Sequence, residues 1–213
     1  ALGVLPDDRH IVAEHKGGVI VLHACFGSKV NQTLSTFIST LLSSKTGFTI
    51  EVSSDPYGII LSSAGPLSPD MIFDILKEPV DLKEILKAAL VGSHQLNWKT
   101  WHVAKKFGVV EKGAAYDRRA ARLIQRRYMN TPLYHEVLRE LFVEKFDISR
   151  AEQVLSAIRD GKILLSARSV TDFTPLAKPM LDYSSHLSPP PISLEKAVLE
   201  PVSYTHLTLP TKA

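Results

Sequence analysis

Residues 19–42 read VIVLHACFGSKVNQTLSTFISTLL, and the fold turns on this stretch. Residues 19–25 are apolar and rich in β-branched side chains over the length of a strand. Phe26-Gly27-Ser28 turns the chain. Beyond the turn, Val30, Leu34, Phe37, Ile38, Leu41 and Leu42 share one helical face. A strand therefore feeds a helix through a glycine turn. The helix is predicted over residues 28–44, with Ser28 as its N-cap and Gly47 as its stop.

Working outward, residues 9–13 form another apolar run, and Gly17-Gly18 before the opening strand is a hairpin signal. Residues 48–53 (FTIEVS) and 57–61 (YGIIL) flank Ser54-Asp55-Pro56, a second turn signal. Residues 1–62 thus read as an α+β unit, a small mostly antiparallel sheet with one packed helix.

Residues 63–173 read as a helical bundle with a short final strand at Ile163-Leu164-Leu165. Ser68-Pro69 opens a helix to residue 77. Further helices are expected over residues 79–91, 95–107 and 114–128. Thr131-Pro132 opens another, and Ser149 with Glu152 forms a capping box. Residues 174–201 are rich in proline and serine and read as a linker or tail. Residues 202–213 (VSYTHLTLPTKA) closely resemble a translated sequencing adapter and are set aside from the fold.

The 213 residues are 45% apolar and 22% charged, an ordinary soluble composition. Cys25 is the only cysteine, which excludes a disulfide framework and a cysteine-based zinc site. A reducing, cytoplasmic setting is expected, with no membrane span. The sequence starts without a methionine or signal pattern, so an internal piece of a longer protein is expected. Net charge is only +3, yet residues 99–127 hold nine lysines and arginines against two acids, a local balance of +7.

Four groups of residues invite a chemical reading. The helix start at Ser28 and Lys29 could cradle a phosphate, although one glycine falls short of a P-loop. Cys25 and His23, two apart on a strand, could form a nucleophile pair; the plainer reading makes Cys25 a small core residue. On the helix of residues 95–107, His94, Trp98, Trp101, His102 and Lys105 share a side. Trp98 and Trp101 there are either core or a stacking platform for unpaired bases. Arg118, Arg119, Arg122 and Arg126 fall within about 100° on a helical wheel. With Lys105 and Lys106 they make the better nucleic-acid signal, the alternative being a solvated, neutralised face. No metal site is expected, since His135-Glu136 lacks the second histidine of a zincin motif at Arg139.

These motifs carry a resemblance. Leu5-Pro6-Asp7-Asp8-Arg9, residues 21–31 (VLHACFGSKVN) and Asp55-Pro56-Tyr57-Gly58-Ile59 resemble the Lhr-type (large helicase-related) superfamily 2 DNA helicases. So do residues 102–108 (HVAKKFG), residues 131–140 (TPLYHEVLRE) and Gly161-Lys162-Ile163. The match runs in order over residues 4–180, and the archaeal-like branch looks nearest. In that family two RecA-like motor domains and a winged helix precede a DEAD/H-associated domain, which this chain resembles. The resemblance implies an accessory domain holding the translocated DNA single strand, from a 3′ tail, beside the motor. The parent would be an ATP-dependent 3′-to-5′ helicase in DNA repair, with ATP and Mg bound by the motor and no cofactor here. The family tryptophan that stacks on the tracking strand lies upstream, so Trp98 and Trp101 do not inherit its role. The alternative is a purely structural platform packed on the winged-helix and motor domains; an independent enzyme built on Cys25 and His23 is the third possibility.

Overall fold

β1 (His10–Lys16) and β2 (Val19–His23) form the first hairpin of the computed structural model, which describes residues 6–187. Gly17 turns the hairpin at φ +60°, a left-handed conformation that favours glycine. α1 (Ser28–Thr46) follows, then a second hairpin of β3 (Ile50–Asp55) and β4 (Gly58–Ser63). Six helices come next: α2 (Pro69–Lys77), α3 (Leu82–Leu90), α4 (His94–Lys106), α5 (Arg118–Arg127), α6 (Pro132–Lys145) and α7 (Ile148–Arg159). β5 (Leu164–Ser169) then returns to the sheet, and α8 (Lys178–Leu187) closes the described chain.

The described strands make one sheet in the order β3-β4-β2-β1-β5. Its pairings are antiparallel except β5 on β1, which is parallel. A parallel neighbour needs a long crossover, and here α1 to α7 all lie between the two strands. The fold is α+β, as expected.

The sheet is buried on both faces. Ile11, Ala13, Ile20, Leu22, Ile59 and Leu61 pack with Leu34, Phe37 and Ile38 of α1 in the main core. On the opposite face Val21 and Ile60 pack with Ala177 and Met180. This is why residues 11–14 and 20–23 are continuously buried instead of alternating. Gly58 belongs to the second face: a Cβ there would stand 2.3 Å from the Leu22 carbonyl oxygen and 2.6 Å from the Met180 methyl.

Glu14 also points to that second face and is wholly buried. His23 Nε2 lies 2.9 Å from its Oε1. Thr174 donates its hydroxyl to Oε1 (2.6 Å) and its backbone N–H to Oε2 (3.0 Å). Burial alone would raise the Glu14 pKa, but the Thr174 and His23 hydrogen bonds outweigh it and hold the carboxyl below its ordinary 4.5. The segment after β5 is thereby tied to the first hairpin.

Several boundaries differ from expectation. β2 stops at His23, so Cys25 lies in the turn and is exposed, not a core residue. Asp147, accepting from Arg150 N–H at 3.1 Å, caps α7 in place of Ser149. Asp81 caps α3, and Asp117 caps α5 three residues later than the predicted start. In all three cases an aspartate side chain accepts from a first-turn N–H and so sets where the helix begins. Residues 178–187, read as part of a linker, are helical, because Ala177 and Met180 cover the second face. Residues 188–201 and the adapter-like residues 202–213 lie outside the described residues. No described helix is long and apolar enough to cross a membrane.

Glu14→Gln keeps the shape of the cluster but removes its charge, and is expected to cost about 1–3 kcal/mol at neutral pH. A carboxylate whose folded pKa is depressed contributes stability above 4.5 that is lost as pH falls. Denaturant midpoints of wild type and Glu14→Gln should therefore differ at pH 7 and converge toward pH 3. A constant difference across that range would show that the charge of Glu14 is not the stabilising element.

Candidate nucleic-acid interface

The turn between β2 and α1 is closed by the second hairpin. Gly27 N–H donates to Pro56 O (3.1 Å) and Ala24 N–H to Tyr57 O (2.9 Å). Asn31, buried in α1, donates from Nδ2 to Ala24 O (2.7 Å) and Asp55 O (2.8 Å). Gly27 itself caps α1 at φ +89°, and no side chain caps the helix, so Ser28 is its first residue and not its cap. Lys29 Nζ donates to Val143 O at 2.8 Å, near the C-terminal end of α6.

At the predicted phosphate cradle of Ser28 and Lys29 these contacts engage the lysine and the turn within the chain. The lysine is bonded to a carbonyl of α6, and the N–H of the capping Gly27 is taken by Pro56 O. His23 and Cys25 also part company: His23 bonds Glu14 in the interior while Cys25 faces out. Desolvation and the carboxylates of Asp7 and Asp55 push the Cys25 thiol above its ordinary value, the reverse of nucleophile activation. Among the described residues no group of three metal-ligating side chains converges.

α4 and α5 carry the remaining candidates. Trp101 is 5% exposed and Trp98 45%, so the two tryptophans divide between core and surface. Trp101 sits with Leu96, Asn97, Thr100, Val103 and Ala104 on the buried side of α4. Trp98 contacts His102 at 4.4 Å and Tyr116 at 5.0 Å between ring centroids. Tyr116 also meets Trp101 at 6.0 Å, so the loop before α5 completes an aromatic cluster. Lys105 Nζ stands 6.0 Å from the Trp101 ring centroid, within cation–π range. Of the two alternatives Trp101 takes the core one, whereas Trp98 keeps an exposed ring.

The charged side chains sort by what faces them. Lys99 is paired with Glu140 and Glu144 of α6, and Lys106 with Glu140 at 2.7 Å. Burial would lower the Lys99 pKa, but those carboxylates outweigh it and raise it; the Lys106 hydrogen bond leads in depressing Glu140. Lys106 is thus engaged with α6. On α5, Asp117 accepts from Arg119 N–H (2.7 Å) and Ala120 N–H (3.0 Å), which fixes the start of the helix. Ala121 is the one fully buried α5 residue. Arg118, Arg119, Arg122, Arg126 and Arg127 are exposed. None of the five makes an ion pair among the described residues. The wheel foresaw four of them; Arg127 projects beside the stripe. Leu123, 64% exposed, stands among the arginines.

Replacing Trp101 by alanine should cost about 3–5 kcal/mol, as for other large buried aromatics. Trp98→Ala should cost under about 1.5 kcal/mol, the worth of its ring contacts. Chemical denaturation of the two variants measures this, and equal losses would contradict the division of the pair.

Three comparisons bear on this arrangement. The family model described as DEAD/H associated matches residues 5–177. The chain is 30% identical over 176 residues to ATP-dependent helicase Lhr-Core protein 2 of Thermococcus barophilus, covering 75% of this chain and 20% of that protein. It is 26% identical over 173 residues to ATP-dependent helicase Lhr-Core of Methanothermobacter thermautotrophicus, again covering 74% and 20%. The chain thus spans about a fifth of the length of the curated relatives it matches. The fold superposes on the Mycobacterium smegmatis helicase Lhr, solved bound to ssDNA and AMP-PNP, with a TM-score of 0.69 and 19% identity over 85% of this chain and 25% of that one. Family model, relatives and fold agree: the chain belongs to the DEAD/H-associated family, and its likeness is to that domain of the Lhr-type helicases.

Proposed function

We propose that the arginine face of α5 neutralises the backbone of a DNA single strand, as the accessory domain of an ATP-dependent 3′-to-5′ helicase in DNA repair. The observation that carries this reading is the set of five exposed α5 arginines without an ion pair among the described residues. Guanidinium groups match phosphate geometry and stay charged at any working pH. Lys105 and the exposed ring of Trp98, on the neighbouring α4, add a charge and a surface for base stacking. The parent supplies the motor domains, which bind ATP and Mg, and a winged helix, and both pack beside this domain. Support comes from the Mycobacterium relative, named as bound to ssDNA, and from the helicase names of the archaeal proteins. A cytoplasmic location goes with that role.

A structural platform is the second reading. Phe107 and Val109, 49% and 38% exposed at the end of α4, favour it as surface a neighbouring domain could cover.

Titration of a labelled single strand with the 213-residue chain at several salt concentrations separates them. Four phosphate contacts predict a log–log slope near 3, from about 0.7 per contact. Arg122→Ala with Arg126→Ala should lower that slope by about 1.4. Binding without salt dependence, or none by the folded chain, would leave only the platform.

A further inference from the structure

The arginine helix borders a groove that no comparison assigns. It lies between the α3–α4 turn and α5 and holds about 340 Å³, near the lower end for small-ligand sites. Val91, Leu96, Met129 and Tyr134 give it apolar walls. Val91 and Met129 are 70% and 55% exposed, so these walls stand open to solvent. Arg122 and Arg126 stand along the same groove.

One polar group in it has a forced orientation. Gln125 lines the groove, and its Nε2 donates to Asn97 Oδ1 at 3.0 Å. Asn97 is fully buried, and its Nδ2 donates to Ser93 O at 2.7 Å. A carbonyl can only accept, so Asn97 must turn its nitrogen to Ser93 and its oxygen to Gln125. Gln125 must then present its nitrogen to Asn97, which leaves Oε1 as its outer atom. That oxygen accepts no hydrogen bond among the described residues.

We infer that this groove receives one unpaired base of the strand held by α5, and that Gln125 Oε1 accepts from the base's amino group. The inference rests on the phosphate reading above and adds the base. Apolar walls suit the faces of a base, the flanking arginines suit the phosphates on either side, and a fixed acceptor suits an exocyclic amine. Cytosine N4 and adenine N6 are such donors, whereas thymine carries a carbonyl at the same place. An acidic peptide would satisfy the arginines but would find no donor preference at Gln125.

The test uses the 213-residue chain and labelled strands of about 12 nucleotides, within the span of single-strand sites. The probes are oligo-dC, oligo-dA, oligo-dT and an abasic tract at one fixed salt concentration. Expected are dC and dA binding about 10-fold tighter than dT, with the abasic tract weakest. Gln125→Leu should erase the preference for dC and dA while keeping dT affinity and the salt slope. Met129→Ala, at an exposed position where folding is not at stake, should narrow the gap between base-bearing and abasic strands. It carries the test alone if Gln125→Leu does not fold. Equal binding of all four probes with a normal salt slope overturns the base site and leaves the phosphate reading standing. Absence of binding by the folded chain overturns both. A preference that survives Gln125→Leu, or displacement of oligo-dC by poly-glutamate with no base preference, also overturns the site.

Discussion

A carboxylate taken out of water must be met by donors, and Glu14 is met from two separate parts of the chain. His23 reaches it across the first hairpin, and Thr174 reaches it from beyond β5. This cluster helps to make the described chain one body. Without Thr174 at Glu14, the segment that covers Val21, Ile60 and Gly58 would lose its polar anchor. With it, the sheet is enclosed on both faces and β5 is placed beside β1. The histidine that looked reactive at a strand end is part of that support.

Closure of the sheet leaves the unpaired cations to the helical layer. The β2–α1 turn is braced by Asn31 and the Pro56 carbonyl, and Lys29 is bonded to Val143 of α6. The helical layer then sorts the cations. α6 carries Glu136, Glu140 and Glu144; Glu140 and Glu144 face α4 and take Lys99 and Lys106, while Glu136 holds Arg139 within α6. α5 lies where no such acids reach it among the described residues. The same local excess of positive charge is therefore paired at Lys99 and Lys106 of α4 and left as an open face on α5.

Much of this was legible in the sequence. Strand–turn–helix order, both hairpins, Gly47 and the Ser68-Pro69 start follow from local patterns that tertiary packing leaves intact. The arginine stripe was legible because charge spacing at 3.6 residues needs no partner to define it. Other features depend on distant residues and left no local signal. Nothing in VIVLHAC says that Glu14 and Thr174 will bury His23, or that the turn will leave Cys25 outside. The pairing of Lys106 with Glu140 joins residues 34 apart, and the bond from Lys29 to Val143 joins residues 114 apart. Periodicity also carried the α5 prediction back past Asp117, where the side-chain cap fixes the actual start. The orientation of Gln125 needs Asn97 and Ser93 in place, so only the structure reveals it.

The sequence of α5 is poorly suited to helix stability on its own. Arg118, Arg122 and Arg126 repeat at four-residue spacing, which brings like charges together on one face. Arg118 and Arg119 stand in the first turn, where the helix dipole disfavours cations, and only Asp117 offsets them. Ala121 is the sole fully buried residue to hold the helix down. Arg126 and Arg127 in the last turn suit the dipole, but they do not relieve the repulsion along the stripe. Local rules broken together in one element, with no compensation inside the described chain, are expected at binding sites rather than in scaffolding. An anion laid along the arginines would relieve both the repulsion and the unfavourable first turn. The helix is therefore better matched to a polyanion than to solvent. That same reasoning ties affinity to ionic strength, because the term being satisfied is electrostatic and lies at the surface, where salt screens it.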